Sequence, residues 1–197
     1  MGTAGVARSP NPTPPALLEL CTRRWAIPVL AVLAGSGGAK FVTLCRTLDL
    51  PPETMSRTLQ ALIGFDLVMR NPGYGHPMRP EYILTPLGEA VGPACRRFVA
   101  RVRELNIDDA CRPRWAIPIL HQLGRGPRRF GELKAGLPGV TPRALARGLR
   151  DLTRAGLIER LVDERTSPPC VSYRRTGLAR RFGHVLEELA RAFAFEP

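Results

Sequence analysis

The seven residues RWAIPVL, from Arg24 to Leu30, return as RWAIPIL from Arg114 to Leu120, ninety positions later. A short phrase can recur by chance, so the flanks decide what the repeat means. KFVTL at Lys40 to Leu44 lies against RFGEL at Arg129 to Leu133, and LQALIGFDLVMR at Leu59 to Arg70 lies against LRDLTRAGLIER at Leu149 to Arg160. Tyr82 and Thr85 then match Tyr173 and Thr176. Order and spacing persist over about seventy residues, which restricts the 197-residue chain to two copies of one unit. Each unit has about 85 to 90 residues, a small core near the lower end of independent stability. The division is an arm over residues 1–16, copy 1 over 17–107 and copy 2 over 108–197. The arm holds four prolines with Gly, Ser, Thr and Asn and no apolar run, a composition expected to be disordered.

Within copy 2, Trp115 to Leu123 has helical apolar spacing, with Pro118 in the first turns where a missing N–H is tolerated. RRFGELKAGL places Phe130, Leu133 and Leu137 at helical spacing, and PGVTP ends that helix. Thr141 is a helix cap and Pro142 takes the first helical position, predicting a third helix from Pro142 to Arg154. Leu145, Leu149 and Leu152 mark its buried face, while Arg143, Arg147, Arg150 and Arg154 form a second stripe. AGLIERLVDER and CVSYRR read as a hairpin around TSPP, and a last helix is expected from Gly177 to Ala194. Copy 1 gives helices near 25–34, 40–48 and 52–63, a hairpin near 67–84, and a long helix from Pro86 to Leu105. The predicted fold is mainly α with small β-hairpin wings: tandem winged helix-turn-helix domains forming a pseudo-dimer.

The stretch RRFGELKAGLPGVTPRALARGLRDLTRAGLIER resembles the helix-turn-helix core of HxlR-type bacterial regulators, relatives of the MarR group. EYILTPLG is similar to their strand-to-last-helix signature, and the two RWAIP phrases to their opening tryptophan helix. The resemblance covers nearly all of residues 22–105 and 112–194. It implies a dimeric, DNA-binding transcriptional regulator with one winged helix per subunit. This chain departs from that pattern by carrying two such domains, so one polypeptide can supply the whole pair. SYRRTGLA in copy 2 is also less apolar than the family's strand, and the copy 1 turn, TLDLPPETMSRTLQAL, leaves Arg57 as the one base of its third helix.

The charge supports a polyanionic partner. The net charge is +12, and it is uneven: residues 1–110 hold 12 Arg or Lys against 9 Asp or Glu, residues 111–197 hold 17 against 8. Arginine-rich coding could raise the total, since only Lys40 and Lys134 are lysines, but it does not account for the asymmetry. Double-stranded DNA is the expected partner. Thr141, Arg143, Ala146 and Arg147 are placed to meet bases, with Arg150 and Arg154 further along for phosphates. The corresponding positions in copy 1 are Thr54, Ser56, Arg57 and Gln60, with Glu53 opposing phosphate. Arg79 in one wing and Arg165 with Arg174 in the other are candidates for the adjacent minor groove.

Trp25 and Trp115 are the candidate wall of a pocket for a small aromatic effector, against the plainer reading of helix packing. Cys21 and Cys111 stand at the same place in both copies, four residues before the tryptophan. They read as small buried hydrophobes rather than redox sensors. The five cysteines form no CxxC pair, and His76, His121 and His184 bring no ligand spacing, so neither a metal nor another cofactor is expected. No nucleotide-binding glycine loop, serine elbow or repeated carboxylate pair is present, which argues against an enzyme. The longest apolar run, Trp25 to Ala34, is too short to span a bilayer, and a cytoplasmic protein is expected, as a monomeric pseudo-dimer or a homodimer. Two rivals keep the fold: a ligand- or drug-sequestering protein with weakened DNA binding, and an accessory protein that binds DNA without sequence preference.

Overall fold

A computed structural model describes residues 13–72, 80–164 and 169–194. Copy 1 begins with a short helix α1 (Pro15–Leu20), followed by α2 (Ala26–Ser36), α3 (Phe41–Leu48) and α4 (Pro52–Gly64). The pair β1 (Val68–Arg70) and β2 (Tyr82–Leu84) leads into the long α5 (Pro86–Glu104). Copy 2 repeats this as α6 (Asp108–Cys111), α7 (Ala116–Gln122), β3 (Arg128–Arg129), α8 (Phe130–Ala135) and α9 (Pro142–Arg154). It ends with β4 (Ile158–Asp163), β5 (Cys170–Arg175), α10 (Gly177–Arg180) and α11 (Gly183–Ala192).

Local chemistry explains the boundaries. Pro28 and Pro118 each stand third in α2 and α7, inside the turn whose N–H groups have no intrahelical acceptor. Gly37, at φ 66°, closes α2 in the left-handed region. After α4 and α9 the chain reverses through a left-handed residue, Asp66 at φ 54° in one copy and Gly156 at φ 68° in the other. The next residue then bonds back to the helix, Leu67 N to Leu62 O and Leu157 N to Leu152 O, both at 3.0 Å. Thr85 and Thr176 cap the closing helices by accepting from Gly88 N and Ala179 N.

Both wings are antiparallel. In copy 1, β1 pairs with β2 in the register Val68↔Leu84 and Arg70↔Tyr82, and Ala39 adds a single bridge to Tyr82. In copy 2 the sheet has three strands in the order β3-β5-β4, so Arg128 and Arg160 both stand opposite Tyr173.

Four expectations are corrected. The arm expected over residues 1–16 does not hold for residues 13–16, because Thr13 is buried and α1 starts at Pro15, its Leu17 and Leu20 driven into the core; residues 1–12 lie outside the described residues. Arg128 and Arg129 form β3 rather than the start of a helix, since they complete the wing of copy 2. The tryptophan helix of copy 2, α7, ends at Gln122 rather than Leu123 and finishes in a tighter turn, Leu123–Arg125. The last helix is broken at Arg181 and Phe182: Gly177 and Gly183 weaken the helix around that point, and the break seats buried Phe182 edge-on to Phe98, with centroids 6.4 Å apart.

One apolar core runs through both copies. α5 packs along α2 on one side and α11 on the other, so the closing helices join the copies. Arg97 makes a bidentate ion pair with Glu188 across that seam, and Arg101 donates to the Arg181 carbonyl at 3.1 and 3.3 Å.

Candidate nucleic-acid interface

Helix α9 of copy 2 is built to expose arginine. Leu145, Leu149 and Leu152 are at most 2% exposed, which fixes the opposite face of α9 toward solvent. Arg143 and Arg150 are exposed and have no acidic partner among the described residues. Arg147 and Arg154 have side chains 80% and 81% exposed and share Asp151, at 3.7 and 3.5 Å. Thr141 is committed to the backbone, its hydroxyl accepting from Ala144 N at 3.2 Å, so it orients the helix. Ala146 is half-buried and offers one methyl beside the arginines.

Sequence reasoning missed a second basic group. Arg150 and Arg154 of α9 and Arg160 of β4 line a cleft of about 470 Å³ whose floor includes Phe130 and Tyr173. Strand register places Arg128 and Arg160 on either side of Tyr173, a juxtaposition that no local motif announces. Arg174 is tied to Glu159 at 2.7 Å, which holds Glu159 below the usual carboxylate range. Arg79 and Arg165, expected in the wings, lie outside the described residues.

Copy 1 presents a weaker version of the same surface. Gln60, Gly64 and Arg70 stand where copy 2 has Arg150, Arg154 and Arg160, and the Arg70 guanidinium lies over Tyr82, 5.7 Å from the ring centroid. Arg57 and Glu53 form an exposed i,i+4 ion pair at 3.2 Å, so the helix's one base is opposed by its one acid. Thr54 and Ser56 are half-buried and Gln60 is exposed. The exposed large hydrophobics among the described residues are Val42, Ile63 and Met69 on copy 1 and Val162 on copy 2.

The two tryptophans are not equivalent. Trp25 is half-buried, with Arg112 4.7 Å above its ring, and it lines a cleft of about 50 Å³ between the copies with Cys21, Phe98 and Cys111. Trp115 is absent from that cleft and carries Arg114 on its ring at 4.7 Å. Pockets for drug-sized ligands usually hold several hundred Å³. Cys21, Cys95 and Cys111 are buried, and desolvation raises each thiol, Cys21 and Cys111 to about 12. Among the described residues no helix is long and apolar enough to cross a membrane, and no group of three His, Cys, Asp or Glu could hold a metal ion.

Copy 2 also holds a buried polar network with no parallel among the described residues of copy 1. Arg175, 7% exposed, donates to the Leu120 carbonyl at 2.6 Å and to Glu187 Oε1 at 3.1 Å. His121 Nε2 lies 3.4 Å from Glu187 Oε2, and its Nδ1 shares a hydrogen bond with the Thr13 hydroxyl at 3.1 Å. Gln122 donates to the same hydroxyl and to the Gly136 carbonyl, both at 3.2 Å. The corresponding residues of copy 1 are Ala31, Val32, Leu84 and Arg96.

The model of the HxlR-like helix-turn-helix family matches residues 20–106 and again 111–194. An uncharacterized HTH-type transcriptional regulator of Bacillus subtilis, YvaP, is 31% identical over 97 residues, 49% of this chain and 83% of that one. A second from the same bacterium, YkvN, is 35% identical over 78 residues, 40% of this chain, and the match spans 65% of YkvN's length. Among solved structures, a protein of Enterococcus faecalis V583 assigned as a MarR-family transcriptional regulator is 27% identical, covering 47% of this chain and 82% of that chain with a TM-score of 0.41. With both halves matched to one family model, the chain belongs to the HxlR-like helix-turn-helix family, in two tandem copies.

Proposed function

We propose that this protein is a DNA-binding transcriptional regulator in which a single chain supplies both winged helices and copy 2 provides the stronger reading head. The observation that carries the reading is the exposed arginine face of α9, held outward by three buried leucines and aligned by the Thr141 cap. A helix of this diameter enters the major groove of B-DNA, where arginine pairs bidentately with guanine or grips phosphate. Arg143 and Arg147, near the helix start, meet bases; Arg150, Arg154 and Arg160 border the cleft toward the wing and hold the backbone. In copy 1, Thr54, Ser56, Arg57 and Gln60 address a second, weaker half-site about one helical turn away. The operator is then an imperfect inverted repeat.

Selection of bound sequences from a random duplex pool, at near-physiological salt, tests this with Arg143→Ala, Arg147→Ala and Arg160→Ala. A motif is expected to be enriched by the parent chain. Arg143→Ala and Arg147→Ala should relax it, costing about 1–3 kcal/mol where a base pair is read, whereas Arg160→Ala should weaken all sequences alike and reduce the salt slope by about 1. An unenriched pool with steep salt dependence would leave a non-specific DNA binder; no retained DNA would refute the reading.

A further inference from the structure

The closing segments of the two copies align at a single offset, although that of copy 2 is broken at Arg181 and Phe182. Their caps, Thr85 and Thr176, are 91 positions apart, and that offset carries the buried face of α5 onto buried residues of copy 2: Val91 onto Phe182, Ala94 onto Val185, Cys95 onto Leu186, Phe98 onto Leu189, Val102 onto Phe193. The same offset carries Arg97 onto Glu188, and these two residues touch each other, Arg97 Nε reaching Glu188 Oε2 at 2.9 Å and Nη2 reaching Oε1. A residue in contact with its own counterpart stands on the axis relating two copies. Between identical subunits such a position faces itself, so a charged side chain there meets its own charge. In this chain the position carries opposite charges.

We propose that Arg97 and Glu188 act as a pairing code: they admit copy 1 against copy 2 and disfavour copy 1 against copy 1, or copy 2 against copy 2, of a second chain. The proposal rests on the seam between the copies and not on DNA binding. An exposed ion pair stabilises little by itself, and these side chains are 53% and 33% exposed. Discrimination arises from the difference between an opposite and a like contact at one position, as charged flanking positions select partners in coiled coils. The partner this surface fits is therefore the other copy, and every pair so formed holds one α9 with its four arginines and one α4 with its single Arg57.

The test uses the full chain with Arg97→Glu, Glu188→Arg, Arg97→Gln and the double exchange Arg97→Glu/Glu188→Arg, measured by reversible denaturant unfolding. Each reversal places like charges on the axis and is expected to lower the folding equilibrium constant about fivefold, more than Arg97→Gln does, with the double exchange back within about twofold of the parent. Light scattering supplies the second readout. Mixed in equal amounts at a few hundred micromolar, the two reversal chains should form two-chain complexes that neither forms alone, because two restored contacts, about 25-fold together, offset the millimolar effective concentration that the tether gives each chain's own pair. Additive effects in the double exchange, or a mixture no richer in two-chain species than its components, would overturn the proposal. If a reversal chain does not fold, recovery in the double exchange reports the same coupling, and failure to recover overturns it.

Discussion

Arg175→Leu, which installs the residue found at the matching position of copy 1, asks whether the polar network holds copy 2 together. The wild-type guanidinium is 7% exposed and bonds the Leu120 carbonyl at 2.6 Å and Glu187 at 3.1 Å. Leucine leaves that carbonyl, on a residue with no exposed surface, without this donor, at a cost of about 1–3 kcal/mol. Glu187 loses one partner but keeps His121 at 3.4 Å, and its side chain is 44% exposed, so water takes up much of its charge and adds well under 1 kcal/mol. Removing a buried guanidinium also relieves desolvation, and leucine returns apolar contact, together on the order of 1 kcal/mol. The net expectation is a loss of about 1–1.5 kcal/mol. For a chain of this size that lowers Tm by roughly 2–6 °C. Reversible urea unfolding at pH 7, with calorimetry as a check, reads the difference. A change below about 0.5 kcal/mol would refute the assignment of Arg175 as a structural tie and would show that copy 2 accepts the apolar arrangement of copy 1 unaltered.

Two further outcomes follow from the titrating groups. Desolvation raises Glu187, but its contacts with His121 and Arg175 outweigh that and leave it below the usual carboxylate range; Arg97 depresses Glu188 and Arg174 depresses Glu159. A depressed folded pKa contributes stability that is full above the unfolded value near 4.3 and is lost as pH falls through the folded values. The unfolding midpoint should therefore hold from pH 6 to about 5 and fall below about 4.3, with a shallower fall in Glu187→Gln; an equal fall in both chains would contradict the assignment. Thiol labelling of the native protein should reach Cys45 and Cys170, which are half-buried, and reach Cys21, Cys95 and Cys111 only on unfolding. Fast labelling of Cys21 or Cys111 at pH 7.5 would contradict their burial and raised pKa.

Much of this architecture was legible because its signals are local. Apolar spacing identified the third helix of each copy, Thr141 and Pro142 fixed where α9 begins, and the arginine stripe lies on its exposed face. Contacts between residues far apart in the chain have no such signature. Arg175 reads as one more strand arginine until α7 and α11 close around it, and Arg160 gains its place beside Arg150 only through the packing of the wing on α9. Arg128 and Arg129 precede an apolar helical pattern and look continuous with it, yet pairing with β5 takes them into the sheet. Thr13 was hidden by composition: prolines around it suggested an arm, while its hydroxyl is one of the buried partners of His121. The weakness of copy 1 was half visible, since Glu53 and Arg57 are adjacent on a helix, but exposure of Val42 and Ile63 appears only once the surface is built.

The bond between Thr13 and His121 has a consequence in time. Its two ends are 108 positions apart. At synthesis rates of roughly 5–20 residues per second, the second partner emerges roughly 5–20 s after the first. Copy 1 can collect its local helices during that interval, yet the residue that leads into it lacks both partners, His121 and Gln122, until α7 exists, and Glu187, which completes the network, comes later still. The growing chain thus passes through a stage in which its beginning waits for its end. Closure of the Thr13–His121 contact therefore waits until α7 has been made, and that of the whole network until Glu187 has.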